Sequence, residues 1–269
     1  MNKKVICWFS CGITSAVACK QAIEKYGMDN VDIWYIEIGS AHPDNERFIE
    51  DCEYWFGKMI KRTRSLKYAD QFEVIEDTGF VNIAGRAFCT SHLKKFVRQK
   101  VQKQYPVGTL QVFGFEFSLK EINRAVRFLQ QYPETSPRFP LIESRIIKDE
   151  CAYILAEAGI LLPTMYLLGY SNNNCIGCVK GGKGYWNKIR IDFPTYFLRM
   201  AECEREVGRT CIKGVFLDEL DPNEGRDSKI VLPDCGSICE IKFEDILDER
   251  ALMIFSDPSE MFALYEVLY

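Results

Sequence analysis

The stretch "VICWFSCGITSAVACKQAIEKYG", residues 5–27, decides the fold. It opens with the apolar, β-prone run "VICWF" and closes with apolar residues at helical spacing. Between the two lies a turn of small residues that includes Ser10, Gly12 and Ser15, with the helix beginning near Thr14. A strand that bends sharply into a helix gathers free N–H groups at the positive end of the helix dipole, and small side chains let an oxyanion approach them. The reading is a phosphate cradle. Its spacing is not the G-x-x-x-x-G-K-[ST] of the ordinary phosphate loop.

Outward from this stretch, strand-like runs alternate with amphipathic helical ones over the first 160 residues. "VDIWYIEIG" (31–39), "QFEVIED" (71–77) and "LQVFGFEF" (110–117) are the further strand candidates. Phe48, Ile49, Cys52, Trp55, Phe56, Met59 and Ile60 recur at helical spacing, as do Leu93, Phe96, Val97 and Val101. A third helix, with Leu119, Ile122, Val126 and Leu129, is opened by Ser118 and Glu121 in a capping-box pattern. Such alternation implies a doubly wound α/β fold around a mainly parallel sheet, whose ligands sit beyond the carboxyl ends of the strands. A Pro-punctuated stretch (131–145) and a helix at about 148–158 close this region. Beyond Tyr170, "GYSNNNCIGCVKGGKGYWNKIR" reads as an irregular, ligand-organised loop, followed by a helix with Phe197, Met200 and Ala201 and by the acidic loop "DELDPNEGRD". The division is a nucleotide-binding domain over 1–170 and a Cys-rich C-terminal region over 171–269 that closes over the cleft.

The chain has 269 residues, 47% hydrophobic and 27% charged, which describes a folded globular protein. No apolar run is long enough to span a bilayer and "MNKK" does not open a signal peptide, so the expected location is the cytoplasm, with no membrane partner. The net charge of −4 hides two basic runs: Lys58, Lys61, Arg62, Arg64 and Lys67, then Lys94, Lys95, Arg98, Lys100 and Lys103. Each is either a solvated helix face or a surface turned to a polyanion.

Twelve cysteines in such a chain point to metal or thiol chemistry rather than a disulfide framework. Cys175 and Cys178 form C-x-x-C, and Cys235 and Cys239 form C-x-x-x-C, each in a Gly-containing loop. Together they supply the four thiolates that zinc or an iron–sulfur cluster takes. Cys89, with Lys94 and Arg98 on the helix that follows it, is a candidate ligand or a thiolate whose pKa is lowered by cations and the helix N-terminus. Cys7, Cys19, Cys52, Cys151, Cys203 and Cys211 fall in strand or helix patterns and read as fillers. His42 reads as a cap, and His92 lies near Cys89 in sequence only. Tyr185 and Trp186 either stack a base or cover the cysteine loop.

The turn Ser10-Cys11-Gly12-Ile13-Thr14-Ser15 resembles the PP-loop of ATP pyrophosphatases and adenine-nucleotide α-hydrolases, usually S-G-G-x-D-S. Cys11 replaces a glycine, which requires a negative φ there, and Thr14 replaces the acid. Further motifs resemble the phosphoadenosine phosphosulfate (PAPS) reductase family: "IEIGSAHPDNERFIEDCEYWFG", "RAFCTSHLKKF" with Cys89 and Lys94, and "VFGFEFSLKEINRAVRF" with Glu121 and Arg124. Closest of all is "PLIESRIIKDECAYILAEAGILLPTMYLLGYSNNNCIGC", which follows the family's Gly-Tyr and Gly-Cys-x-x-Cys course. The likeness covers residues 5 to 180 in order and is nearest to phage-type members.

The resemblance implies that Ser10, Cys11, Gly12, Thr14, Ser15, Gly39 and Gly114 bind an adenine nucleotide, ATP or PAPS, with Mg2+ as its companion. It implies Cys89, Lys94 and Arg124 as catalytic residues and favours a [4Fe–4S] cluster over zinc on the four cysteines. The expected activity is adenylation of an acceptor, nucleic acid among the candidates, followed by sulfur transfer from a thiol, a cysteine desulfurase or a thioredoxin-like protein. One alternative is reduction of adenylyl sulfate, from which the chain departs by lacking a histidine in "DCGSICE". Another, resting on Thr14, is a nucleotide- or nucleic-acid-binding module without catalysis.

Overall fold

Strand β1 (Val5–Phe9) is buried along its whole length and turns alternate side chains into two different cores. A computed structural model describes residues 4–83 and 86–226. In it β1 is followed by α1 (Ile13–Tyr26), β2 (Val31–Glu37), α2 (Asn45–Phe56), β3 (Lys61–Arg64) and α3 (Gln71–Thr78). A short antiparallel hairpin, β4 (Asn82–Ile83) and β5 (Arg86–Ala87), leads to a π-helical segment (Thr90–Lys95) that runs into α4 (Phe96–Gln102). Then come β6 (Leu110–Phe113), α5 (Leu119–Gln131), β7 (Pro137–Arg138), α6 (Pro140–Glu143), α7 (Lys148–Glu157) and α8 (Thr164–Leu167). Helices α9 (Lys183–Asp192) and α10 (Pro194–Val207) follow, and a 3-10 turn (Leu217–Glu219) is the last element of the described residues.

The main sheet has five strands in the order β3-β2-β1-β6-β7, and every pair in it is parallel. Val5, Cys7 and Phe9 face α1, α2 and α7, through residues such as Ala16, Phe48 and Leu155. Ile6 and Trp8 face α4 and α5, through Val101, Ile122 and Ala125. Burial on both faces explains why β1 reads as a continuous apolar run rather than an alternating one. The arrangement is compatible with a doubly wound α/β fold.

Three sequence expectations are corrected. "QFEVIED" is a helix, α3, because Asp70 caps it, accepting hydrogen bonds from the N–H groups of Phe72 and Glu73 at 2.9 and 3.1 Å. The third strand is instead the edge segment Lys61–Arg64, whose charged, mostly exposed residues give no apolar signal. From Lys183 onward the supposed loop is helix α9, which buries Trp186 and Ile189, three residues apart, on one face. Ser118 does cap α5, its hydroxyl accepting the N–H of Glu121 at 3.4 Å, but the reciprocal half of the box is absent: the Ser118 N–H donates to the Glu116 carbonyl at 3.0 Å.

Residues beyond Tyr170 do not float free of the sheet domain. Phe72 and Ile75 of α3 share a core with Met165, Trp186, Ile189, Phe197 and Met200. The start of α2 is clamped to the turn before α8: Asp44 accepts from Arg47 Nε at 2.7 Å and from the Thr164 N–H at 2.8 Å. Arg47 also donates to the Leu161 and Leu162 carbonyls, at 3.0 and 3.2 Å.

Arg47, with help from the Thr164 N–H, holds the Asp44 carboxyl down to about 2, from an ordinary 3.8. Lowering a carboxyl pKa on folding stabilises the protein above the unfolded value, and that stability is lost as pH falls through the folded value. Asp44→Asn is therefore expected to cost about 1 to 2 kcal/mol at neutral pH. In denaturant titrations the difference from wild type should close between about pH 4 and pH 2; a difference that persists at pH 2 would contradict this.

Candidate active cleft

Strand β1 lies between β2 and β6, so the chain winds outward to β3 on one side and resumes on the other with β6 and β7. Where the winding reverses, the loops at the carboxyl ends diverge and leave a crevice. A cleft of about 330 Å3 opens there, against the ends of β1, β2 and β6. Among the described residues that line it the cations are Lys94, Lys95, Arg98 and Arg124, and none is a carboxylate. Aromatic rings, among them Trp8, Tyr35, Phe113 and Phe115, form much of the wall, with Asn45, Asn173 and Cys175 at one side.

The π-helical segment delivers Lys94 and Lys95 to this cleft, and α4 delivers Arg98 one turn later. Lys94 is exposed, and Lys95 stands 4.9 Å from the centre of the Tyr132 ring. Arg124 lies flat over Phe115 at 4.2 Å and pairs with Glu121 at 3.0 Å. Arg98 is only 8% exposed and sits among the rings of Phe113, Phe128 and Tyr132, at 5.4, 4.9 and 5.5 Å. Burial lowers its pKa from the ordinary value, but a guanidinium remains charged. The sequence leaves Arg98 between a solvated face and a surface turned to a polyanion, and outside the expected catalytic set. The signal was its i+4 spacing from Lys94, which puts both on the same side of the helix.

The turn after β1 is organised by Ser15, whose buried hydroxyl accepts the N–H groups of Ser10 and Gly12 at 3.0 and 3.3 Å and donates to the Gly12 carbonyl at 2.8 Å. Two amides of the supposed cradle are thus occupied from within. Those of Thr14 and Ser15 bond to no described residue. Cys11 has φ 59°, in the left-handed region, against the expectation of a negative φ. It is held there by Asn173, whose side-chain amide donates to the Cys11 carbonyl and also to Asn45 Oδ1 at 2.8 Å. Such a conformation costs a non-glycine residue about 1 kcal/mol or more.

Of the expected nucleotide-binding set, Ser10 lines the cleft, while Cys11, Gly12 and Ser15 lie buried behind it and Thr14 is half-buried. Gly39 gives its N–H to the Ala69 carbonyl at 2.9 Å. Gly114 serves packing: a β-carbon there would stand 2.6 Å from Ser15 Cα. Of the expected catalytic set, Lys94 and Arg124 line the cleft and Cys89 does not.

Cys175 is on the cleft wall, and Cys178 and Cys89 are close enough to it and to each other to interact electrostatically. The loop that carries Cys175 is fastened to β2 and α3: the Ile176 N–H donates to the Ser40 carbonyl at 2.8 Å, and Gln71 Nε2 donates to the Ile176 carbonyl at 2.9 Å. Tyr185 takes the Cys178 N–H at 2.9 Å and donates to the Cys175 carbonyl at 3.2 Å, so it covers the cysteine loop, as does fully buried Trp186. All ten described cysteines are free, and the six expected fillers are buried. Among the described residues no group of three His, Cys, Asp or Glu side chains is arranged to hold a metal. Cys235 and Cys239 lie outside the described residues. His42 Nδ1 accepts the Asp44 N–H at 3.1 Å, and His92 packs edge-on against Tyr68 and Phe96.

No protein-family model matches the chain, and no curated protein matches it significantly. Among the described residues no helix is long and apolar enough to cross a membrane.

The Cys89 thiol is not activated. Burial, then the neighbouring Cys178 and Cys175, push it up to about 11 and outweigh the opposing Lys94 and Lys180. Since the thiolate is the nucleophile, residue-resolved alkylation with iodoacetamide should leave Cys89 at least tenfold slower than an ordinary thiol of pKa about 8.5 at pH 8. Labelling of Cys89 as fast as free cysteine would contradict the assignment.

Proposed function

We propose that the chain belongs to the PAPS reductase-like branch of the PP-loop, adenine-nucleotide α-hydrolase-like superfamily and performs nucleotide-dependent sulfur chemistry in this cleft. The observation that carries the reading is a crevice at the sheet's reversal point whose described lining is cationic, with no carboxylate among it, and has Cys175 on its wall. Cationic groups around such a crevice suit the charge of a polyphosphate or adenylyl sulfate, and the rings suit a base.

In the leading version an acceptor oxygen attacks the α-phosphorus of ATP, pyrophosphate leaves, and a sulfur nucleophile then displaces AMP from the activated acceptor. Lys94, Arg98 and Arg124 counter the charge of the phosphates and of the departing pyrophosphate. Cys175, rather than Cys89, is the thiol that meets the reacting centre. No described residue that lines the cleft is a carboxylate, so Mg2+ would arrive on the nucleotide. Were a [4Fe–4S] cluster or zinc bound instead, Cys175 and Cys178 with Cys235 and Cys239 would hold it, Cys175 then being a ligand rather than a free thiol, and it would supply sulfur-ligated metal chemistry. The cluster of three thiols, Cys89, Cys175 and Cys178, favours a second version. There a thiolate attacks the sulfur of adenylyl sulfate, the nucleotide leaves, and a second thiol releases sulfite as a disulfide forms.

The test is incubation of anaerobically purified protein with ATP and, separately, with PAPS. ATP is expected to bind and to yield pyrophosphate when acceptor is present, and Lys94→Met and Cys175→Ser are each expected to lower turnover by about tenfold or more. Sulfite with adenosine bisphosphate would select the reductive version. Binding without turnover would leave a binding module, and failure to bind either nucleotide would overturn the reading.

A further inference from the structure

A buried arginine is ordinarily found paired with a carboxylate, because an uncompensated charge away from water is costly. Among the described residues Arg98 has no such partner in contact, Glu134 acting on it only from a distance. It makes no ion pair and no hydrogen bond to any described residue, and its compensation is the faces of Phe113, Phe128 and Tyr132. Stacking on rings satisfies a guanidinium's charge in part but leaves its in-plane N–H donors unused. Those donors belong to a residue that lines the cleft. The neighbouring charges sharpen the point: Lys94 and Lys95 are cationic, and Arg124 is already engaged by Glu121.

The turn after β1 bears on the same question from the other side. With the amides of Ser10 and Gly12 already taken by Ser15, two donors of that turn are engaged, and those left on its helix side carry no formal charge. We infer that Arg98 is the principal oxyanion receptor of the cleft, taking a phosphate or sulfate group in a two-pronged hydrogen bond with its guanidinium held among the three rings. This rests on the nucleotide reading only for the identity of the molecule that carries the oxyanion. A planar fork is suited to a tetrahedral oxyanion in a way that an ammonium is not. The rings restrict the side chain before the ligand arrives, so little further ordering is lost on binding.

The test is isothermal titration calorimetry of the full chain with inorganic phosphate and with inorganic sulfate at fixed ionic strength, run beside ATP. Wild type is expected to bind both ions. Arg98→Met should weaken that binding by about 10- to 100-fold, and Arg98→Lys, which keeps the charge but loses the fork, by about tenfold. Lys100→Met, on the exposed side of the same helix, should bind as wild type does. Far-ultraviolet circular dichroism identifies any variant that fails to fold, in which case Arg98→Lys carries the comparison.

Unaltered oxyanion binding in a folded Arg98→Met protein would overturn the inference, as would a wild type that binds ATP but neither ion. Arg98 would then be a packing residue only. Arg98-dependent binding of the ions by a wild type that ignores ATP and PAPS would instead uphold the receptor and remove the nucleotide reading.

Discussion

The end of β6 meets the start of α1 with no room for a side chain between them. A β-carbon at Gly114 would lie 2.6 Å from Ser15 Cα and 2.7 Å from Ser15 N, nearer than real β-carbons come to backbone. That contact sets how closely the first helix approaches the strand on the far side of the reversal point. The same Ser15 then ties the turn after β1 to itself through Ser10 and Gly12. Strand spacing, turn shape and cleft mouth therefore depend on one glycine–serine approach.

On this frame the cleft collects charge of one sign. Lys94, Lys95, Arg98 and Arg124 come from three helical elements, the π-helical segment, α4 and α5, and no acid is among the described residues that line the cleft. The opposite wall is held by polar side chains that face one another: Asn173 bridges Asn45 and the strained Cys11 carbonyl, while Gln71 and Ser40 hold the cysteine loop. The left-handed Cys11 has a stated cause in that bridge. Its strain sits in the turn whose terminal serine lines the cleft, the kind of place where backbone strain gathers.

Much of this was legible in the sequence. The strand, turn and helix of residues 5–27 and the Ser118 cap are local signals with local causes, and they survive tertiary context. Lys61–Arg64 was illegible because an edge strand buries too little to show a pattern, and α3 was misread because a short apolar run does not distinguish strand from helix without its Asp70 cap. The dihedral at Cys11 depends on a side chain 162 residues away, which no local pattern contains. Arg98 was hidden for a similar reason: a basic helix looks solvated until its aromatic neighbours, from β6 and α5 and the segment beyond, close over it. The Cys89 thiol was misjudged because the lysines near it could be counted in the sequence, whereas its burial could not.

The central claim is that this crevice, and not another hollow, receives a nucleotide. A crystal structure with the non-hydrolysable analogue α,β-methylene-ATP tests it most directly. The account predicts the analogue along the carboxyl ends of β1, β2 and β6, with phosphate oxygens on Arg98 and its base among the rings. An analogue seated instead in the hollow formed by Gln21, Lys25, Tyr26 and Arg138, with the crevice empty, would contradict it.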